Sequence, residues 1–157
     1  MESRSRAAPN TRTLTVMTKR AYEPTIRTQA DLESAWHRLM GPWGYGSHSL
    51  WLMVILGDTP IPQLTEIEDC VEPLAGQQAQ QFSRMLARLS ADLGPGIRFA
   101  MLRSRPGSSH VTDVDRAWAR ALYDACTLAE VPCEVLHLGT RDEIRPLPPD
   151  EVLPATG

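Results

Sequence analysis

Helical and strand-like hydrophobic spacing alternate along this chain, and their order predicts a fold before any chemistry is considered. Leu32, Trp36, Leu39 and Met40 fall on one face of a helix, with Thr28 as N-cap and Asp31 three residues later. Gly41 and Pro42 end that helix, and a glycine-rich loop follows. Residues 50–56 are continuously apolar, as a strand covered on both faces should be. A turn at residues 57–60 leads to residues 63–71, which alternate like a half-exposed strand. From about Gly76 to Leu93 the period is helical again, with Phe82, Met85, Leu86, Leu89 and Leu93 on one stripe. Residues 97–102 form a third strand. A polar loop over 103–110 then feeds a helix capped by Thr112, whose buried face holds Val114, Ala117, Trp118, Ala121, Leu122 and Ala125. Pro132 marks its exit, residues 133–138 make a fourth strand, and residues 142–145 are a candidate fifth.

This order predicts an α/β (α+β) protein with a single mixed β-sheet of four to six strands and about three flanking helices. Residues 1–26 lack apolar periodicity and read as a disordered basic N-terminal arm. Residues 27–146 then form a single α/β domain, and residues 147–157 form an irregular acidic C-terminal tail.

Composition narrows the picture only a little. The 157 residues suffice for one core, and 42% apolar with 22% charged residues is ordinary for a globular chain. A net charge of −3 gives no overall attraction to nucleic acid or an anionic membrane. Within residues 1–27, however, Arg4, Arg6, Arg12, Lys19, Arg20 and Arg27 outnumber Glu2 and Glu23. The cysteines, Cys70, Cys126 and Cys133, are odd in number and form no Cys-x-x-Cys pair. With no signal-peptide pattern, this predicts a reducing, cytoplasmic setting. No apolar run is long enough to span a bilayer, so no membrane partner is expected.

The junction from Arg103 to Trp118 carries the most chemistry. A strand, a Pro106-Gly107 turn and a capped helix follow one another, an arrangement that gathers backbone donors at a helix N-terminus. The sequence reads Arg103, one residue, Arg105, Pro106, five residues, Thr112, two residues, Asp115. This resembles the JAB/MPN metalloprotease-like superfamily, in particular its RadC-like bacterial branch. Family members carry His-x-His-Pro, six residues, Ser, two residues, Asp at such a junction, and the element order over roughly residues 28–145 is similar. The resemblance implies a zinc held by the two His and the Asp, with an upstream Glu as general base. Here Pro106, Thr112 and Asp115 match, both His positions are arginine, and the loop is one residue shorter. The region matching the general base, His48-Ser49-Leu50, offers no carboxylate. Arginine has no lone pair to give zinc and repels a dication. Metal and cofactor are therefore expected to be absent, and the former cation site becomes a candidate anion or partner site formed by Arg103, Arg105, Thr112 and Asp115.

Each of these residues also has a plainer reading. Thr112 and Asp115 make a good capping pair, and the arginines suit a solvated loop or an ion pair with Asp113 or Asp115. Trp43 and Tyr45, in the glycine-rich loop, are candidate partner contacts or simply folded back on the first helix. His110, His137 and Cys133 have no recognised ligand spacing. Alternation would put Cys133 and His137 on one strand face, but no nucleophile motif accompanies them.

The sequence thus points to a non-catalytic JAB/MPN-like interaction or regulatory module that has lost its zinc site and serves a protein partner. One alternative is a nucleic-acid-associated, DNA-repair-like accessory protein using the basic arm and the Arg103/Arg105 loop. The other is a hydrolase with a non-standard site. A homodimer is compatible with such a fold, though no residue demands it.

Overall fold

A computed structural model describes residues 14–17, 24–40, 46–141 and 143–152. The chain runs β1 (Leu14–Met17), α1 (Gln29–Met40), β2 (Ser49–Leu56), β3 (Thr59–Ile67), α2 (Gly76–Leu93), β4 (Ile97–Ser104), α3 (Asp113–Ala129), β5 (Leu136–Gly139), β6 (Ile144–Leu147) and α4 (Pro149–Val152). One six-stranded mixed sheet has the order β1-β3-β2-β4-β5-β6. Only β4 and β5 run parallel, and α3 makes the crossover between them.

The two central strands, β2 and β4, show why a continuous apolar run is needed here. Leu50 and Leu52 of β2, with Phe99 and Met101 of β4, face a core shared with Leu86 of α2 and Trp118 and Leu122 of α3. Trp51, Met53, Ile55, Ala100 and Leu102 face the other way, onto Leu32, Trp36 and Leu39 of α1. Side chains alternate between faces, so a strand covered on both sides must be apolar throughout. Ser83 Oγ of α2 donates to the Ala125 carbonyl of α3 at 3.0 Å and fastens the helices on the first face together.

Both predicted capping boxes are present. At α1 the Asp31 amide donates to Thr28 Oγ1 at 3.0 Å while Asp31 Oδ2 accepts from the Thr28 amide at 3.1 Å. At α3 Thr112 and Asp115 make the same reciprocal pair. The bounds of α2 coincide with the hydrophobic stripe, although Leu93 at its end is exposed.

Several boundaries differ from expectation. Leu14–Met17, inside the stretch expected to be a disordered arm, pairs antiparallel with β3, and Ile26 is buried in the α1-side core. Arg98 of β4 fastens this entry segment by donating to the carbonyls of Ile26 and Gly57. At the other end, Leu147 and Val152 are buried, so the expected irregular tail begins with a strand end and a short helix. β3 starts at Thr59 rather than at residue 63, because the hairpin turns on only Gly57 and Asp58, with Gly57 at φ +64. The buried face of α3 is Asp115, Trp118, Ala119, Leu122, Ala125 and Cys126. Val114, expected inside, is exposed because the helix turns its acidic N3 residue inward.

Candidate functional site

The junction is built by the far end of β4 and the first turn of α3. Along β4 the row facing α3 continues past Phe99 and Met101 to Arg103, so the alternation of the strand drives a guanidinium into the core. Arg103 is 2% exposed and stacks over the Trp118 ring, its guanidinium carbon 5.3 Å from the ring centroid. Arg105, two residues on, is 8% exposed, and Asp115 is fully buried between the two.

The hydrogen bonds show what this arrangement does. Asp115 Oδ1 accepts from Arg103 Nη1 at 2.9 Å and Arg105 Nε at 2.7 Å. Its Oδ2 accepts from Arg105 Nη2 at 2.7 Å and the Thr112 amide at 2.9 Å. A carboxylate has about four acceptor positions, and all are taken. Arg105 donates further to the carbonyls of Pro106 and Ser108, both at 2.9 Å, and of His110 at 3.0 Å. All five of its N–H groups are therefore used, and the side chain acts as the internal frame of the 106–110 loop. Arg103 adds a longer bond to the Cys70 carbonyl at 3.5 Å, and its Nε has no partner among the described residues.

Electrostatics agree with the geometry. Burial pushes the Asp115 carboxyl up, but hydrogen bonds from Arg105 and Thr112 and the two cationic charges outweigh it and hold it below the usual carboxylate range. Hydrogen bonding to Asp115 raises Arg105 against its own burial, whereas for Arg103 burial dominates and lowers it. His48, in the stretch that the resemblance sets against the general base, is lowered first by burial and then by the two arginine charges.

Of the site residues read from sequence, the structure brings Arg103, Arg105, Thr112 and Asp115 together. The ion-pair reading is the one it bears out for the arginines. Arg103 and Arg105 themselves are buried, and every N–H of Arg105 is directed to Asp115 or to a loop carbonyl, while residues 106–108 of the loop are exposed. Trp43 and Tyr45 lie outside the described residues.

The side chains weighed as a substitute metal or catalytic set are dispersed. His110 is exposed, and Cys133 lies against Cys126 on the α3 side. His137 is buried on the α1 side of the sheet, with Nε2 3.1 Å from Glu33 Oε2. Cys133 and His137 do not share a strand face because β5 begins only at Leu136. Among the described residues, no group of three or more His, Cys, Asp or Glu side chains is placed to hold a metal ion.

The zinc implied by the family resemblance does not fit this donor set. Its one remaining anionic ligand, Asp115, has no free lone pair, and two permanent cations stand where neutral imidazoles would be required. Above the triad lies a shallow cleft of about 310 Å³ lined by His48, Val71, Glu72, Thr112 and Val114 as well as the triad itself. Val71 and Val114 are among the exposed large apolar side chains. Sequence reasoning passed over this rim, since Val114 was assigned to the core.

Compared with protein-family models, curated proteins and solved structures, the chain matches none. The JAB/MPN resemblance therefore stands on the junction residues and the element order alone. Among the described residues, no helix is long and apolar enough to cross a membrane.

Proposed function

We propose that this protein is a non-catalytic interaction or regulatory module of JAB/MPN-like build, working in the cytoplasm with a protein partner, in which an internal ion triad replaces the zinc site. The observation that carries this reading is the Arg103–Asp115–Arg105 triad. It lies at the strand-to-helix junction, on the residues that match the family's two His and its Asp. The Asp is retained, and what surrounds it is chemistry that holds a fold together rather than chemistry that activates water. Contact with a partner at this site runs through the rim residues Val71, Glu72 and Val114, because Val71 and Val114 are exposed while Arg103 and Arg105 are buried. No observation at the junction favours the nucleic-acid or hydrolase readings over this one.

Zinc titration followed by elemental analysis of the purified protein tests the proposal. The expected result is well below one zinc per chain for the wild type. Near one zinc per chain overturns the claim that the site is lost. A second arm restores the family pattern with Arg103→His and Arg105→His, which is expected to take up one zinc with Asp115. If that variant folds, as judged by circular dichroism, and binds none, the correspondence with the JAB/MPN site falls.

A further inference from the structure

The helices on one face of the sheet, α2 and α3, leave between them a groove of about 380 Å³. Leu74 and Ala79 wall it on the α2 side, and Ala117, Ala121 and Leu128 wall it along α3. Leu128 is 67% exposed, more than any other large apolar side chain among the described residues. Spacings of four, three and four place Ala117, Ala121, Asp124 and Leu128 on one ridge of the helix, with Arg120 beside it. Arg120 and Asp124 also line the groove, and neither side chain has an ion pair or hydrogen bond among the described residues. Paired within the helix they would stand base before acid, the weaker order at this spacing, so both charges are left for another chain. Along the first turns of α2 the exposed side chains are glutamines, Gln77, Gln78, Gln80 and Gln81, which hold no charge to repel an arriving surface.

We propose that this groove is a homodimer interface, occupied by α3 of a second copy of the chain packed antiparallel about a two-fold axis. Such a contact requires a face that complements itself. With the axis between Leu122 and Tyr123, Leu128 of each copy meets the small Ala117 of the other, and Arg120 reaches Asp124. Symmetry repeats both contacts, so each dimer covers two leucines and gains two ion pairs. Ala117 and Ala121 keep the ridge low, which lets the two helices approach to about 8 Å, the close end of the usual range. The charges also select the occupant. A uniformly basic or acidic partner would set a like charge against Arg120 or Asp124, whereas a second copy gives each an opposite one. The interface runs along the middle and end of α3, and it stands whether or not the junction at the start of that helix replaces a zinc site.

Sedimentation velocity of the full chain over a range of concentrations tests this. The expected result is a reversible dimer of the 17.4 kDa chain. Leu128→Glu is expected to raise the dissociation constant by about a hundredfold with an unchanged circular dichroism spectrum, because a two-fold interface loses each contact twice. Arg120→Asp and Asp124→Arg, each alone, set like charges against each other and are expected to weaken association by about tenfold. An equimolar mixture of those two proteins restores opposite charges across the interface and is expected to associate as tightly as the wild type. A wild type that stays monomeric throughout, a dimer that Leu128→Glu leaves intact, or a mixture no tighter than its components overturns the proposal.

Discussion

Two fully buried polar side chains, one on each face of the sheet, behave in opposite ways. Asp115, under α3, meets a donor at every acceptor position it has. His137, under α1, has its Nδ1 3.1 Å from the Val135 carbonyl and its Nε2 3.1 Å from Glu33 Oε2, so both ring nitrogens face acceptors. A neutral imidazole carries one N–H, and only the imidazolium satisfies both contacts. Burial opposes that charge and lowers His137, while Glu33 partly restores it. Burial alone therefore does not make a polar group inert or responsive. What decides is whether donors and acceptors match without a change in protonation.

The largest effect that sharpens this contrast is expected from Asp115→Ala. It leaves two cations facing each other in the core, and the unfolding free energy measured in urea should fall by about 3–5 kcal/mol. A loss below about 1 kcal/mol would mean that the triad is no more than a surface pair. Arg105→Lys keeps the charge but loses the fork that serves Asp115 and three loop carbonyls. A loss of about 1–3 kcal/mol is expected, with faster amide exchange over residues 106–110. Thr112→Ala removes only the cap and should cost about 1 kcal/mol in the same assay.

The smallest effect is the pH response, which separates the two faces. His137 is lowered in the folded state, so its contribution is present above about pH 6.5 and is lost as pH falls through that value, where the unfolded chain takes up the proton first. His48 is lowered as well and adds to the same slope. Asp115 is held below the carboxylate range, so its contribution is present above its unfolded value and is lost only in stronger acid. Melting temperatures between pH 8 and pH 5 should decline for the wild type and decline less for His137→Asn. An equal slope in the variant would remove His137 from the account.

Much of this fold was legible because the local signals agreed with one another. The capping boxes at Thr28 and Thr112, the α2 stripe and the apolar runs of β2 and β4 each combine a period with a boundary residue. β1 was missed because Leu14–Met17 is too short to show alternation and takes its structure from pairing with β3. At the junction, the residues that gather were identified, but the burial of the two arginines was not. Arginine after a strand suggests a solvated loop, yet the signal for burial was present: Phe99, Met101, Arg103 and Arg105 continue one period-2 row. In α3, Asp115 begins the buried series at spacings of three and four that runs through Trp118, Ala119 and Leu122, so an acidic residue occupies a core position. Setting the charged residues aside when tracing the stripe shifted the predicted face toward Val114. His137 and Glu33 are 104 residues apart and could only be paired by the fold itself.

The prolines of the sheet bear on assembly. Among the described residues, β1 pairs with residues 64–67 of β3, and Pro60 and Pro62 stand at the beginning of β3. At the opposite margin, β6 carries Pro146. A proline offers no N–H to an arriving strand, so both stretches are poor templates for extending the sheet from chain to chain. Four-residue β1 is then the described margin without such a guard. Edge-to-edge pairing of one copy with another is thereby disfavoured along these two described stretches of the sheet.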